Sequence, residues 1–337
     1  MQAQIERSGT GQRTFRTSRA RAVFHPNRIK RILVPIDFSR VSLNAIPNAL
    51  SLARQFRADV HLLHVVDTTQ YLSPALLSLA MTVRADWNER LLKCLRGIAL
   101  RYGPHGEIHV LHPREGAVYQ EICAAARETR SELIVIATHG YTGYQRVLLG
   151  STAERTVQHS PCPVLVVRHP ARVSSGRNGR STSKQFVLNK ILVPTDFSDC
   201  AKTAFNYAVE LANEFDAELC LIHVINPNAY PFGDEFAALH AARLIRESSQ
   251  LARRRMREML AKTKLRYSTR VGHGLPAAEI CAAANSNVDL IVSSTHGRTG
   301  IGHVLIGSVA EHVVRHARCP VLVIPVHRSS TDQLNRN

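Results

Sequence analysis

Ala137-Thr138-His139-Gly140-Tyr141-Thr142-Gly143, followed six residues later by Gly150-Ser151-Thr152-Ala153-Glu154, is written twice in this chain. The second copy reads Ser294-Thr295-His296-Gly297-Arg298-Thr299-Gly300, then Gly307-Ser308-Val309-Ala310-Glu311. Each copy follows a short apolar run (133–137 and 290–292) and leads into a helical pattern. A strand, a glycine loop and a helix start in that order form an anion site. Glycine lets the backbone approach a phosphate, and the first free N–H groups of the helix point at it. A ligand-free reading competes: Ser151-x-x-Glu154 and Ser308-x-x-Glu311 fit capping boxes, in which Ser and Glu satisfy the orphan N–H groups themselves. The nine-residue spacer from Gly140 to Gly150, unchanged between Gly297 and Gly307, favours the ligand.

The repetition extends outward from these loops. Ile32-Leu33-Val34-Pro35 with Asp37-Phe38-Ser39 is matched by Ile191-Leu192-Val193-Pro194 with Asp196-Phe197-Ser198. Both runs are apolar throughout, as strands covered on two faces must be. Ser39 and Ser198 are placed to cap the helices that follow. Those helices carry Ile46, Ala49, Leu50, Ala53 and Phe56 in one copy and Phe205, Ala208, Val209, Ala212 and Phe215 in the other, at helical spacing. Pro47 predicts a bend in the first. Strands then run through Val65 and Val224, with His64 and His223 as satisfied core or rim residues rather than ligands. Long helices are predicted at about 73–102 and 236–265. The run Arg253-Arg254-Arg255-Met256-Arg257 in the second is a solvated face, since no aromatic residues interleave for base stacking.

The register between copies is nearly constant: Asp37 to Asp196 is 159 residues, Glu121 to Glu279 is 158, and Gly140 to Gly297 is 157. Two duplicated units of alternating strand and helix follow. Such alternation predicts an α/β fold with doubly wound, Rossmann-like parallel sheets and helices on both faces. Ligands of such sheets sit beyond the carboxyl ends of the strands, at the switch point in strand order. Asp37, Val65, Gly116 and the Gly140 loop all fall at strand ends of that kind, as do their counterparts. The expected organisation is a disordered basic tail (1–27), a first domain (28–169), a flexible linker (170–186), a second domain (187–327) and a tail (328–337).

Composition narrows the function classes. The chain has 337 residues and a formal net charge of +17. Residues 1–31 carry +7, residues 170–190 carry +5 and residues 328–337 carry +1, so 13 of the 17 charges lie in tails and linker. That distribution attracts polyanions loosely but argues against a nucleic-acid reading groove. No apolar run approaches the roughly 20 residues that span a bilayer, so no membrane partner is expected. The start lacks a signal-peptide core. Seven cysteines without C-x-x-C or zinc spacing fit a reducing, cytoplasmic setting.

Ile-Leu-Val-Pro-x-Asp-Phe-Ser, Leu-His-Val and Thr-His-Gly-x-Thr-Gly-x6-Gly-Ser-x-Ala-Glu together resemble the universal stress protein family, here in tandem over nearly the whole chain. The resemblance implies two five-stranded sheets of strand order 3-2-1-4-5, paired within the chain through their last strands, and leaves a homodimer open. In one branch of the family it implies ATP, with Mg²⁺ as a possible companion, held by the pattern G-x2-G-x9-G-[ST]. Asp37 and Val65 would then hold the adenosine end, and Gly140, Gly143, Gly150 and Ser151 the phosphates. Their second-copy partners are Asp196, Val224, Gly297, Gly300, Gly307 and Ser308, with Arg298 as an added phosphate contact that makes this unit the stronger site. One departure stands out: the first glycine of the pattern is Ala137 in one copy and Ser294 in the other. A position needing φ > 0 or the closest backbone approach would cost each about 1 kcal/mol or more and weaken the site; a plain strand end would cost nothing. The expected function is a stress-response protein binding an adenine nucleotide in each domain, regulating domain pairing or partner docking. The alternative is a nucleotide-free interaction module. With no P-loop and no general base placed by motif, any ATPase activity would be slow.

Overall fold

The protein is described by a computed structural model at residues 29–69, 84–103, 106–137, 150–168, 188–226, 235–285, 287–295 and 306–325. The strands are β1 (Arg31–Ile36), β2 (Asp59–Asp67), β3 (Ile108–Val110), β4 (Arg114–Gly116), β5 (Leu133–Ala137) and β6 (Val164–Val167) in the first half. The second half has β7 (Lys190–Pro194), β8 (Glu218–Ile225), β9 (Tyr267–His273), β10 (Leu290–Ser294) and β11 (Val321–Ile324). Between them lie α1 (Ala45–Phe56), α2 (Arg84–Tyr102), α3 (Val118–Glu128), α4 (Ser151–His159), α5 (Asp199–Phe215), α6 (Glu235–Leu260), α7 (Pro276–Ala284) and α8 (Ser308–His316).

All strands join one sheet in the order β3-β2-β1-β5-β6-β11-β10-β7-β8-β9, with β4 paired to the end of β2. Within each half the main strands run in the order 3-2-1-4-5 and pair in parallel. Strand alternation divides the core into two layers. Ile32, Val34, Leu165 and Val193 face α1, α2, α5 and α6, while Leu33, Ile134, Val164 and Leu192 face α3, α4, α7 and α8. Both faces are therefore covered, which accounts for the uninterrupted apolar strands.

The two halves meet at an antiparallel seam between β6 and β11, where Leu165 lies opposite Leu322 and Val164 opposite Val323. Leu165 and Leu322 occupy equivalent places in the two copies, so the seam is self-complementary, as an isologous interface requires. Phe56 of α1 packs edge-on against Phe215 of α5, its own counterpart, with ring centroids 5.8 Å apart. Gln55 Nε2 likewise donates to Glu214 Oε1 at 3.2 Å. Arg315 breaks the symmetry, reaching Glu311 of its own helix at 2.7 Å and Glu154 of the other half at 3.7 Å.

Local differences between the copies have chemical causes. In the second half β9 pairs with β8 without interruption from Leu219 to Ile225. In the first, Leu111-His112-Pro113 holds one residue more than Arg270-Val271 and divides the strand into β3 and β4. An extra residue breaks the ladder and proline supplies no N–H to mend it. Pro47 does not bend a helix as expected. It is the third residue of α1, where its missing N–H is one of the orphans in any case. The helix begins late, after a 3₁₀ turn at Ser42–Asn44, whereas α5 begins directly at Asp199. Ser198 caps α5 by accepting the Ala201 N–H at 3.2 Å; Ser39 instead accepts the Ser42 N–H at 3.1 Å and caps the 3₁₀ turn.

Candidate functional site

The carboxyl ends of β7, β8 and β10 open onto a cleft of about 250 Å³ in the second half. Its walls include Asp196 after β7, Val224 on β8, Pro276 and Ile280 on α7, and Gly307 and Ser308 at the start of α8. Four of the residues singled out from the sequence thus line one cavity: Asp196, Val224, Gly307 and Ser308. Gly297, Arg298 and Gly300 lie outside the described residues. In the first half Asp37, Val65, Gly150 and Ser151 hold the equivalent places at strand ends and helix start. Gly140 and Gly143 lie outside the described residues.

Each carboxylate is set by a strained turn. Phe38 and Phe197 have φ of 63° and 65°, left-handed values that cost a bulky residue about 1–2 kcal/mol. The turn is held from both sides. The Phe38 ring packs on His64 at 4.5 Å and the Phe197 ring on His223 at 4.7 Å. The Arg255 guanidinium lies over the Phe197 ring, 5.6 Å from its centroid. The histidines are anchored in turn: His64 Nδ1 donates to the Ile36 carbonyl at 2.9 Å and His223 Nδ1 to Thr195 at 2.7 Å. A carbonyl only accepts, so Nδ1 carries the proton in both rings. Burial holds the His64 pKa below its ordinary value of 6.5, against the opposing pull of the Ile36 carbonyl and Asp37. Both histidines hold the turn, and His223 also lines the cleft.

Asp196 Oδ1 accepts the Ser198 N–H at 3.0 Å and its hydroxyl at 2.6 Å. Asp37 Oδ1 accepts the Ser39 N–H at 3.0 Å. These bonds fix each carboxylate at the mouth of its strand.

The helix starts differ from the ligand-free expectation. Gly150 and Gly307 are the N-cap residues of α4 and α8, and Ser151 and Ser308 are the first helical residues. A capping box needs Ser at the cap itself, one position earlier, so neither box forms. Glycine brings no side chain to the cap, and the first residues of α8, Ser308 to Ala310, line the cleft. The loop before α8 is closed at its base, where the Gly307 N–H donates to the Thr295 carbonyl at 2.8 Å.

Ala137 and Ser294 end β5 and β10 in ordinary strand conformation, outside the set of residues with positive φ. The departure from the glycine pattern therefore stores no left-handed strain. Glycine is required elsewhere: Gly116 and Gly274, at φ of 143° and 141°, turn the chain from the edge strand into α3 and α7. A Cβ on Gly116 would stand 3.2 Å from Glu121 Cγ.

Several cleft residues escaped the sequence reading, among them Thr195, Pro276, Ile280, Ser293 and Val309. Strand alternation carried the signal for Ser293, a hydroxyl on the face that otherwise holds Ile291. Cys123 and Cys162 are buried, with thiols pushed up to about 11 and about 12 by desolvation. Among the described residues no cluster of three or more His, Cys, Asp or Glu side chains is placed to hold a metal, and no helix is long and apolar enough to cross a membrane.

Comparison with known proteins places these features in context. The family model described as "Universal stress protein family" matches residues 28–168 and again 188–325. A universal stress protein of Methanocaldococcus jannaschii is 36% identical over 152 residues, covering 44% of this chain and 85% of that protein. A second from the same organism is 30% identical over 154 residues, covering 41% of this chain and 95% of that protein. The crystal structure of a universal stress protein from Archaeoglobus fulgidus aligns with a TM-score of 0.58 at 21% identity, over 91% of this chain and 98% of that one. It shares the tandem fold.

Proposed function

This chain belongs to the universal stress protein family, and from that premise we propose that it binds an adenine nucleotide, ATP first among them, in a cleft at the carboxyl edge of each half. The observation that carries the reading is the second-half cleft, where the Asp196 carboxylate and the glycine-capped start of α8 line one cavity. A carboxylate accepts sugar or base donors, while uncapped N–H groups at a helix start receive phosphate. The two ends of a nucleotide need such an arrangement. Asp196 and Val224 take the adenosine end, Gly297, Arg298, Gly300, Gly307 and Ser308 the phosphates, and Mg²⁺ accompanies them. Asp37, Val65, Gly140, Gly143, Gly150 and Ser151 play these parts in the first half.

Binding acts as a signal rather than a step of rapid chemistry. The bound state biases the pairing of the halves or the docking of a partner, in a cytoplasmic stress response. The seam joining β6 and β11 supports an internal pseudo-dimer with domains at 28–169 and 187–327. A nucleotide-free interaction module is the second reading. Part of its support in the sequence is the loss of the first motif glycine; Ala137 and Ser294 have no positive φ, which removes the strain half of that support and leaves the close-approach half to the test below.

The test is mass spectrometry of small molecules released by heat or acid from the purified full chain, beside an Asp196→Asn, Gly297→Val double variant. Adenine nucleotide released by the wild type, and about half as much by a folded variant, is the expected result. An empty wild type that gives no calorimetric signal with millimolar ATP and Mg²⁺ would overturn the reading.

A further inference from the structure

We infer that Ser293 determines the selectivity of the second-half cleft and makes the two nucleotide sites of this chain unequal. The inference rests on the nucleotide reading above and concerns what one floor residue does within it. Val292 faces the α5 and α6 layer, so strand alternation turns Ser293 toward the face of Ile291, on which the cleft opens. Its counterpart in the first half is Ile136, a buried member of the corresponding apolar cluster. The neighbouring floor position is apolar in both halves, Ile222 in one and Leu63 in the other. Thr195 and Ser294, against Ile36 and Ala137, add hydroxyls at the strand ends. Of the positions that turn toward α7 and α8, Ser293 against Ile136 is the one where a hydroxyl also replaces a large side chain and deepens the cleft.

The hydroxyl stands between the two ends of the site. On one side β7 leads to Asp196; on the other β10 continues to Thr295, whose carbonyl holds the Gly307 N–H at the foot of α8. The sugar–phosphate body of a nucleotide that spans these ends crosses the floor at Ser293. Ser293 Oγ donates to the Ser294 carbonyl over a long 3.3 Å. A hydroxyl has two acceptor lone pairs besides its one proton, so it can take a sugar hydroxyl and can also redirect its proton to a phosphate oxygen. Ile136, a buried and larger side chain, does neither.

The test is calorimetric titration of the full chain with ATP and Mg²⁺, comparing wild type with Ser293→Ile, Ser293→Ala and Ile136→Ser. Wild type is expected to fill in two steps. Ser293→Ile weakens the tighter step about tenfold, Ser293→Ala a few-fold, and Ile136→Ser strengthens the weaker step. Isoleucine suits a buried strand, and matching thermal unfolding shows that the variant folds. Two-step binding left unchanged by Ser293→Ile and Ile136→Ser would overturn the role of Ser293 while leaving nucleotide binding intact. A wild type with no heat of binding overturns both.

Discussion

Where the halves touch, residues of the seam pack on their own counterparts; at one position of the cleft floor and at the outer edge the copies differ. At the seam Leu165 meets Leu322, and Phe56 meets Phe215, each residue packing on its own counterpart. At the cleft floor Ile136 is answered by Ser293, and at the outer edge the broken β3–β4 by the continuous β9. A self-complementary interface ties two positions together, since a change on one side alters a contact made by both. A cleft residue that does not pack on its own counterpart has no such tie.

The largest effect that can break this comparison lies at the seam. Leu165→Ala and Leu322→Ala should each cost about 2–4 kcal/mol, as both side chains are buried and leave a cavity. Because they touch, the double variant should depart from additivity by at least about 0.5 kcal/mol in urea denaturation. Strict additivity would mean that the seam is not a shared core. The strand-end turns come next. Ser198→Ala removes the cap of α5 together with a bond to Asp196 and should cost about 1–2 kcal/mol. Ser39→Ala, which uncaps only a 3₁₀ turn, should cost less, and equal urea midpoints would erase the distinction drawn between the two turns.

Smaller still is Arg255→Ala, which removes an exposed cation–π contact on Phe197 worth about 0.5–1 kcal/mol. If Arg255 steadies the Asp196 turn, the same variant weakens nucleotide at the second site more than at the first; equal weakening at both would refute that. The least is a pH effect. Burial depresses the folded-state pKa of His64, so below about pH 6.5 the unfolded chain binds the proton more readily. Stability from the neutral ring is whole above pH 6.5 and is lost as pH falls through the folded value. His64→Gln should therefore lose less Tm than wild type between pH 7 and about pH 5, and identical acid limbs would rule this out.

The fold was legible because its determinants are local and written twice. Apolar strands, helical stripes and strand-end aspartates recur at a nearly fixed shift, and a parallel α/β sheet is what such a pattern builds. Even the drift of that shift from 159 to 158 was a structural message, the extra residue that divides β3 from β4. Helix starts were harder to place. Ser and Glu three apart fit a capping box whether Ser is the cap or the first helical residue, and only backbone geometry separates the two. Whether Ala137 and Ser294 strain the backbone was likewise undecidable in sequence, because that turns on the sign of φ. Ser293 went unread since its meaning depends on which sheet face the cleft occupies, a property of tertiary packing.

The seam also bears on concentration. Two separate copies joined by such an interface would find each other by diffusion and part again. Here nineteen residues, 169–187, connect the end of one half to the start of the other, and a covalent connection of about that length keeps the two halves at roughly millimolar effective concentration. Assembly then no longer depends on how much protein the cell makes. It also no longer requires the partners to be identical: a homodimer must carry the same residue in both clefts, whereas a fused pair can keep Ile136 in one and Ser293 in the other. Tethering turns one symmetric receptor into two that can be tuned apart.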